Sequence, residues 1–235
     1  MSGTILTRGL SRLARLLPAQ PCLLCGEFSR DGVWCDACSA SLPRLNAPCC
    51  PQCALPTPLD EYCGNCLKRP PHFDHTLAAF AYAFPIDKLV QALKYNEHLL
   101  LANALADELA QRIEILPDCI VPMPLHSARL RERGFNPSAE LAKRLAAKTG
   151  TPLLLHASHR VRATLPQAAL TWKARRGNVR QAFDCTAEVA GKHVAIVDDV
   201  MTSGASLNEL ARALRRAGAR EVSAWVVART LAKNR

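Results

Sequence analysis

The stretch Ala195-Ile196-Val197-Asp198-Asp199-Val200-Met201-Thr202-Ser203-Gly204-Ala205-Ser206 constrains the fold more than any other part of the chain. Three consecutive apolar residues read as a strand buried on both faces, which belongs in a parallel sheet covered by helices. Two carboxylates stand where that strand should end, and a short hydroxyl-and-glycine loop then runs into a helix. A loop that opens a helix offers unpaired N–H groups and the positive end of the helix dipole, so an anion is favoured there. Thr202, Ser203 and Ser206 add hydroxyl donors, and Gly204 lets the backbone approach closely without a Cβ in the way. Ser206 and Glu209 have capping-box spacing, which predicts a helix start near Ser206, with Leu207, Leu210, Ala211 and Leu214 turned inward before Gly218 ends it. Carboxylates only accept hydrogen bonds, so Asp198 and Asp199 suit sugar hydroxyls or a magnesium ion. A sugar phosphate satisfies both halves, its hydroxyls on the two acids and its phosphate on Thr202, Ser203, Gly204, Ala205 and Ser206.

Neither G-x-x-x-x-G-K-[ST] nor G-x-G-x-x-G occurs here, so two common phosphate loops are excluded. The string of apolar strand, Asp-Asp, then x-x-Thr-x-Gly-x-Ser resembles the phosphoribosyl-pyrophosphate (PRPP) loop of the type I phosphoribosyltransferases. Ser203 and Ser206 stand where threonine is usual, and both swaps keep the hydroxyl. The resemblance implies an α/β fold, a parallel sheet with helices on both faces, over residues 71–235. It also implies PRPP with Mg2+ as ligand, and Asp198 and Asp199 as the acids of the reaction.

Eight cysteines in the first third form four pairs, Cys22-x-x-Cys25, Cys35-x-x-Cys38, Cys50-x-x-Cys53 and Cys63-x-x-Cys66. A two-residue spacing in a tight turn points both thiolates at one tetrahedral ion, so two structural zinc sites of four thiolates each are expected over residues 21–70. The pairs can combine consecutively or in crossed order. All-thiolate sites leave no open position, so these zincs fold a segment too poor in core to fold alone. Cys49 is left over, while Cys119 and Cys185 sit in largely apolar surroundings and read as packed small hydrophobes.

The net charge of +10 is unevenly placed. Between Ile120 and Arg180 stand twelve basic residues against Glu132 and Glu140, and the rest of the chain balances to zero. That concentration suits a polyanion, either a diphosphate or a nucleic acid. Residues 1–20 carry Arg8, Arg12 and Arg15 and no acid, which predicts a basic helix and interrupts any signal-peptide core. No apolar run is long enough to span a membrane, and a cytoplasmic protein without membrane insertion is the expectation.

The periodicities predict a strand over 76–84, helices over 86–95 and 99–115, and a strand from Cys119 that stops at the prolines before His126. Lys94 and Tyr95 stand within reach of a ligand, although a lysine at a helix end is usually only solvated. An arginine-rich loop over 129–136, a helix over about 138–148 and a last strand over 221–229 complete the order. The string V-P-M-P-L-H followed by R-x-R-G-F-N resembles the ComF family, whose members are linked to DNA uptake and use, and so do R-x-R-x-T-x-x-Q from Arg160 and R-x-N-V-x-x-A-F from Arg176. This likeness runs from Cys22 almost to the C-terminus. It implies that Pro124, Leu125, His126, Arg129, Arg131 and Arg133, with Arg160, Arg162 and Lys173 from a closing flexible loop, surround the pyrophosphate. His126 at a strand end serves more readily as a hydrogen-bonding residue than as an acid toward the leaving group.

The functional expectation is a PRPP-binding protein of the phosphoribosyltransferase type that displaces pyrophosphate toward an unassigned acceptor. Six residues follow the last strand, too few for a C-terminal hood over the acceptor, so the zinc ribbon is expected to cover the site. The alternative is a non-catalytic factor that senses PRPP or handles single-stranded DNA through the ribbon and the basic loops. Three Trp, three Tyr and six Phe supply few stacking platforms for that role. A third reading is an assembly module that docks on a helicase or DNA-uptake partner.

Overall fold

The computed structural model describes residues 20–29, 33–46, 48–95, 99–161 and 181–231, and the expected basic helix at 1–20 lies outside them save for Gln20. The chain forms two compact units, Met1–Pro43 and Arg44–Arg235.

In the smaller unit, strands β1 (Gln20–Pro21) and β2 (Phe28–Ser29) pair antiparallel and helix α1 spans Asp36–Ser41. The larger unit contains helix α2 (Gly64–Lys68), strand β3 (His75–Ala81), and helices α3 (Ile86–Tyr95) and α4 (Leu99–Ala110). Strand β4 (Cys119–Pro122), helices α5 (Ser127–Arg133) and α6 (Pro137–Thr149), and strands β5 (Ser158–Arg160) and β6 (Phe183–Cys185) come next. Strand β7 (His193–Met201), helix α7 (Ala205–Arg216) and strand β8 (Glu221–Arg229) close the order.

Four strands make one parallel sheet in the order β3-β8-β7-β4. The two central strands are buried on both faces, as unbroken apolar runs such as Val194–Val197 and Trp225–Ala228 require. Val194 and Ile196 of β7 and Val222, Ala224 and Val226 of β8 join Leu207, Leu210, Ala211 and Leu214 of α7 in one core cluster. Helices α4 and α6 pack on each other, and α6 lies against β4 and β7. Helix α7 opens on Gly204, whose φ of +74° is the left-handed conformation that glycine adopts without strain. Among the described residues no helix is long and apolar enough to cross a membrane.

Four local expectations are corrected. The arginine-rich segment 129–136 is mostly helix rather than loop, because His126 caps α5 at its start and Gly134, at φ +81°, ends it. The capping box is not made. Glu209 instead accepts from the Gln181 N–H and pairs with Arg212, so α7 begins at Ala205 without a side-chain cap. The strand after residue 75 is also shorter than its period suggested, ending at Ala81, and α4 ends at Ala110 rather than 115.

Candidate functional site

The sheet order sets β4 beside β7, so the segments that follow these parallel strands emerge side by side at one carboxyl edge. That edge is where open parallel α/β sheets bind ligands. Asp198 and Asp199 lie near the carboxyl end of β7, and the segment Thr202–Ser206 that follows into α7 is half-exposed except for buried Gly204. Beside it, Pro124 is buried, Leu125 and His126 are half-buried, and His126 Nδ1 accepts from the Ala128 N–H at 3.3 Å.

The two acids occupy unlike surroundings. Asp198 Oδ1 accepts from the Ser138 hydroxyl at 2.9 Å and from the Asp199 N–H at 2.9 Å. Burial, and then the Asp199 carboxylate, push the Asp198 carboxyl up to about 7, so it holds a proton over part of the physiological range. Asp199 is buried, and its Oδ2 lies 2.7 Å from Lys94 Nζ at the end of α3. Burial works against the Lys94 charge, but the Asp199 carboxylate outweighs it and holds the ammonium above its usual range. Ser138 sits at the start of α6, where Asn136 caps the helix and also donates to the Met123 carbonyl at 3.0 Å. The cap therefore ties the end of β4 to the helix that serves Asp198.

The arginines fall into three groups. Arg129 and Arg131 are exposed on α5, and Arg133 is half-buried in its last turn. Arg160 ends β5, with its guanidinium 5.5 Å from the Phe183 ring centroid on the paired strand β6. Burial first, and then the neighbouring Arg129, push Arg160 below its ordinary range, while Asp198 opposes them. Arg160 is thus near enough to sense the charges of both Arg129 and Asp198. Arg162 and Lys173 lie outside the described residues. The Val161 N–H, beside the end of β5, donates to the Ala182 carbonyl at 2.9 Å, just before β6.

The loop is clamped from below by Arg229, the last residue of β8, which is only 4% exposed. Its Nε donates to the Cys53 carbonyl at 2.7 Å, and its Nη1 donates to the carbonyls of Met201 at 2.9 Å, of Thr202, and of Thr230 at 2.9 Å. Sequence reading passed over Arg229 and Ser138 because neither stands in a motif; a buried strand-end arginine is visible only once strand and loop are paired.

The cysteine pairs combine consecutively. Cys22, Cys25, Cys35 and Cys38 form one quartet and Cys50, Cys53, Cys63 and Cys66 the other, with the sulfurs of each within 4.8 Å of one another. Cys25 and Cys35 sulfurs lie 3.7 Å apart, and those of Cys53 and Cys63 3.6 Å. A tetrahedral zinc with bonds of about 2.3 Å sets its sulfurs about 3.8 Å apart, so both quartets fit zinc. Each is built alike, from a turn and from the N-terminus of a short helix that carries Cys35 and Cys38, or Cys63 and Cys66. The sequence held a signal for this order, because C-x2-C-x9-C-x2-C occurs twice with an offset of 28 residues. The second quartet lies in the larger unit, where the Thr76 N–H donates to the Pro51 carbonyl at 2.9 Å and Gln52 to the Phe73 carbonyl at 3.1 Å.

Residues 99–235 match the phosphoribosyl transferase domain family, and residues 13–67 the double zinc ribbon domain. The DNA utilization protein YhgH of Salmonella typhimurium is 37% identical over 222 residues, covering 89% of this chain and 97% of that protein. Competence protein F of Haemophilus influenzae is 32% identical, over 86% of this chain and 93% of its own. A solved glutamine PRPP amidotransferase from B. subtilis is similar over 58% of this chain and 30% of its own, with 22% identity and a TM-score of 0.42. With a phosphoribosyl transferase domain over more than half its length, a double zinc ribbon before it and such relatives along most of the chain, this protein belongs to the ComF family of phosphoribosyltransferase-fold proteins.

Proposed function

We propose that the carboxyl edge of β4 and β7 binds PRPP and displaces its pyrophosphate. One observation carries the reading: Asp198 precedes a loop that opens a twelve-residue helix, and its carboxylate acts on Arg160, which the Arg129 charge also reaches. In this reading Asp198 and Asp199 orient the ribose hydroxyls, and Thr202, Ser203, Gly204, Ala205 and Ser206 hold the 5′-phosphate. Arg129, Arg131, Arg133, Arg160, Arg162 and Lys173, with the Pro124-Leu125-His126 turn, take the diphosphate charge as the C1–O bond breaks and its electron pair leaves with pyrophosphate. The oxygen donors of Asp198 and Asp199 suit Mg2+, which when bound neutralises charge on the phosphates. Lys94 pairs with Asp199 and in this reading gives up that contact to PRPP and its cation. The second zinc knuckle, joined to Met201 and Thr202 through Arg229, borders the acceptor side.

Calorimetry of the zinc-loaded protein with PRPP and Mg2+ tests this, followed by a screen of nucleobases and amines for pyrophosphate release. Mg2+-dependent heat that is lost in Asp198→Asn is expected; absence of heat at millimolar PRPP removes the reading.

A second reading is favoured by the exposure of Arg129 and Arg131 and by the names of the relatives: a single-stranded-DNA-handling factor, or one that docks on a DNA-uptake protein. Such binding falls steeply with salt and is indifferent to Asp198→Asn, whereas the PRPP site needs Mg2+ and both acids.

A further inference from the structure

The opposite, amino edge of the sheet gathers a second set of ligating side chains. His75 opens β3, His193 opens β7 and Glu221 opens β8. The register pairs His193 with Glu221 and His75 with Ser223. Paired residues in a sheet share a face, and Glu221 and Ser223, two apart on one strand, share it too. All four side chains therefore stand on one face at the start of three neighbouring strands. That position lies about 17 Å from Asp198 along β7, at about 3.3 Å per residue.

The contacts converge on one carboxylate oxygen. Glu221 Oε1 lies 3.7 Å from His193 Nε2 and 3.8 Å from His75 Nδ1, and the ligand atoms of all three residues lie within 4.8 Å of one another. The two imidazoles meet edge to face with ring centroids 5.7 Å apart. His193 is buried, while His75 and Glu221 are half-exposed, which leaves a path from solvent. Its Nε2 is also 3.0 Å from the Ser223 hydroxyl, which can donate to it. Asp118 is committed elsewhere, accepting from the His193 backbone N–H at 2.7 Å and from Arg220 at 3.4 Å.

We propose that His75, His193 and Glu221 bind one divalent transition-metal ion, with zinc the best match among nitrogen-and-oxygen-seeking cations. Zinc bonds of about 2.0–2.1 Å bring tetrahedral ligands to about 3.3 Å from one another, so the two measured contacts need to close by only about half an ångström. Three protein ligands leave a fourth position for water or an exogenous anion. This site is separate from the two cysteine quartets and independent of the PRPP reading.

The test is calorimetric titration of Zn2+ into full-length protein whose two cysteine quartets are already filled and whose excess metal has been removed. One further zinc per chain with a micromolar dissociation constant is expected. Glu221→Gln and His75→Gln, both at half-exposed positions, should each weaken it by about 100-fold while circular dichroism stays unchanged. His193 is too buried for its variant to be decisive. No uptake of a third zinc, or uptake unchanged in both variants, overturns the proposal.

Discussion

Arg229 Nε donates to the carbonyl oxygen of Cys53 at 2.7 Å, so a residue at the end of the central sheet holds the backbone of the second cysteine quartet. The same guanidinium holds the Met201 and Thr202 carbonyls at the start of the candidate phosphate loop. Arg229→Met keeps the apolar stem but leaves buried carbonyls without a donor, and should lower unfolding free energy by about 3 kcal/mol in urea titration. Stripping metal from the Cys50, Cys53, Cys63 and Cys66 quartet should, through this link, speed amide hydrogen exchange at Thr202–Ser206. Unchanged exchange after chelation would break the connection.

Lys94 and Asp199 are expected to be energetically coupled. Their contact is largely but not wholly shielded, with side chains 27% and 11% exposed. Lys94→Met should cost about 1–3 kcal/mol by leaving a buried carboxylate unpaired. In a double-mutant cycle with Asp199→Asn the second change should cost less than it does alone; additive losses would mean that the ion pair contributes nothing.

Asp198 gives stability a distinctive pH dependence. Its folded value of about 7 lies above the ordinary aspartate value of 3.8, so between those values the folded chain binds more protons than the unfolded one. This group's contribution therefore declines as pH rises from about 4 to 7 and is flat above that. Asp198→Asn removes the decline, so the variant should gain on the wild type by about 4 kcal/mol between pH 4 and pH 8 in parallel denaturation curves. A difference that is constant with pH would place the shift elsewhere.

Gly204 meets two constraints at once. A Cβ built there would lie 2.7 Å from Met201 Cε, and the backbone has φ +74°. The methionine methyl can move aside, but the left-handed backbone cannot be relieved in the same way. Gly204→Ala should therefore cost about 1 kcal/mol, with Met201→Ala restoring little of it, as thermal melts of the single and double variants would report.

Legibility in the sequence followed the range of the interaction. The run Val194–Val197, the helix with Leu207, Leu210, Ala211 and Leu214 inside, and strand β8 at 221–229 could all be read, because each rests on local periodicity and burial. The capping box could not be judged so, since Glu209 finds Gln181, 28 residues away, and Arg212 as better partners than its own helix start. The loop reading of 129–136 missed a helix because a histidine cap and a left-handed glycine act together over only seven residues.

By itself the chain determined its elements, its thiolate pairs and the strand-acid-loop string, because these depend on neighbours within a few residues. That Ser138 serves Asp198, that Lys94 occupies Asp199, that Arg229 ties a cysteine turn to the loop, and that two histidines and a glutamate meet at the amino edge were decided only by tertiary structure. Those relations depend on strand order and register, which bring together residues between 28 and 176 positions apart and leave no trace in local spacing.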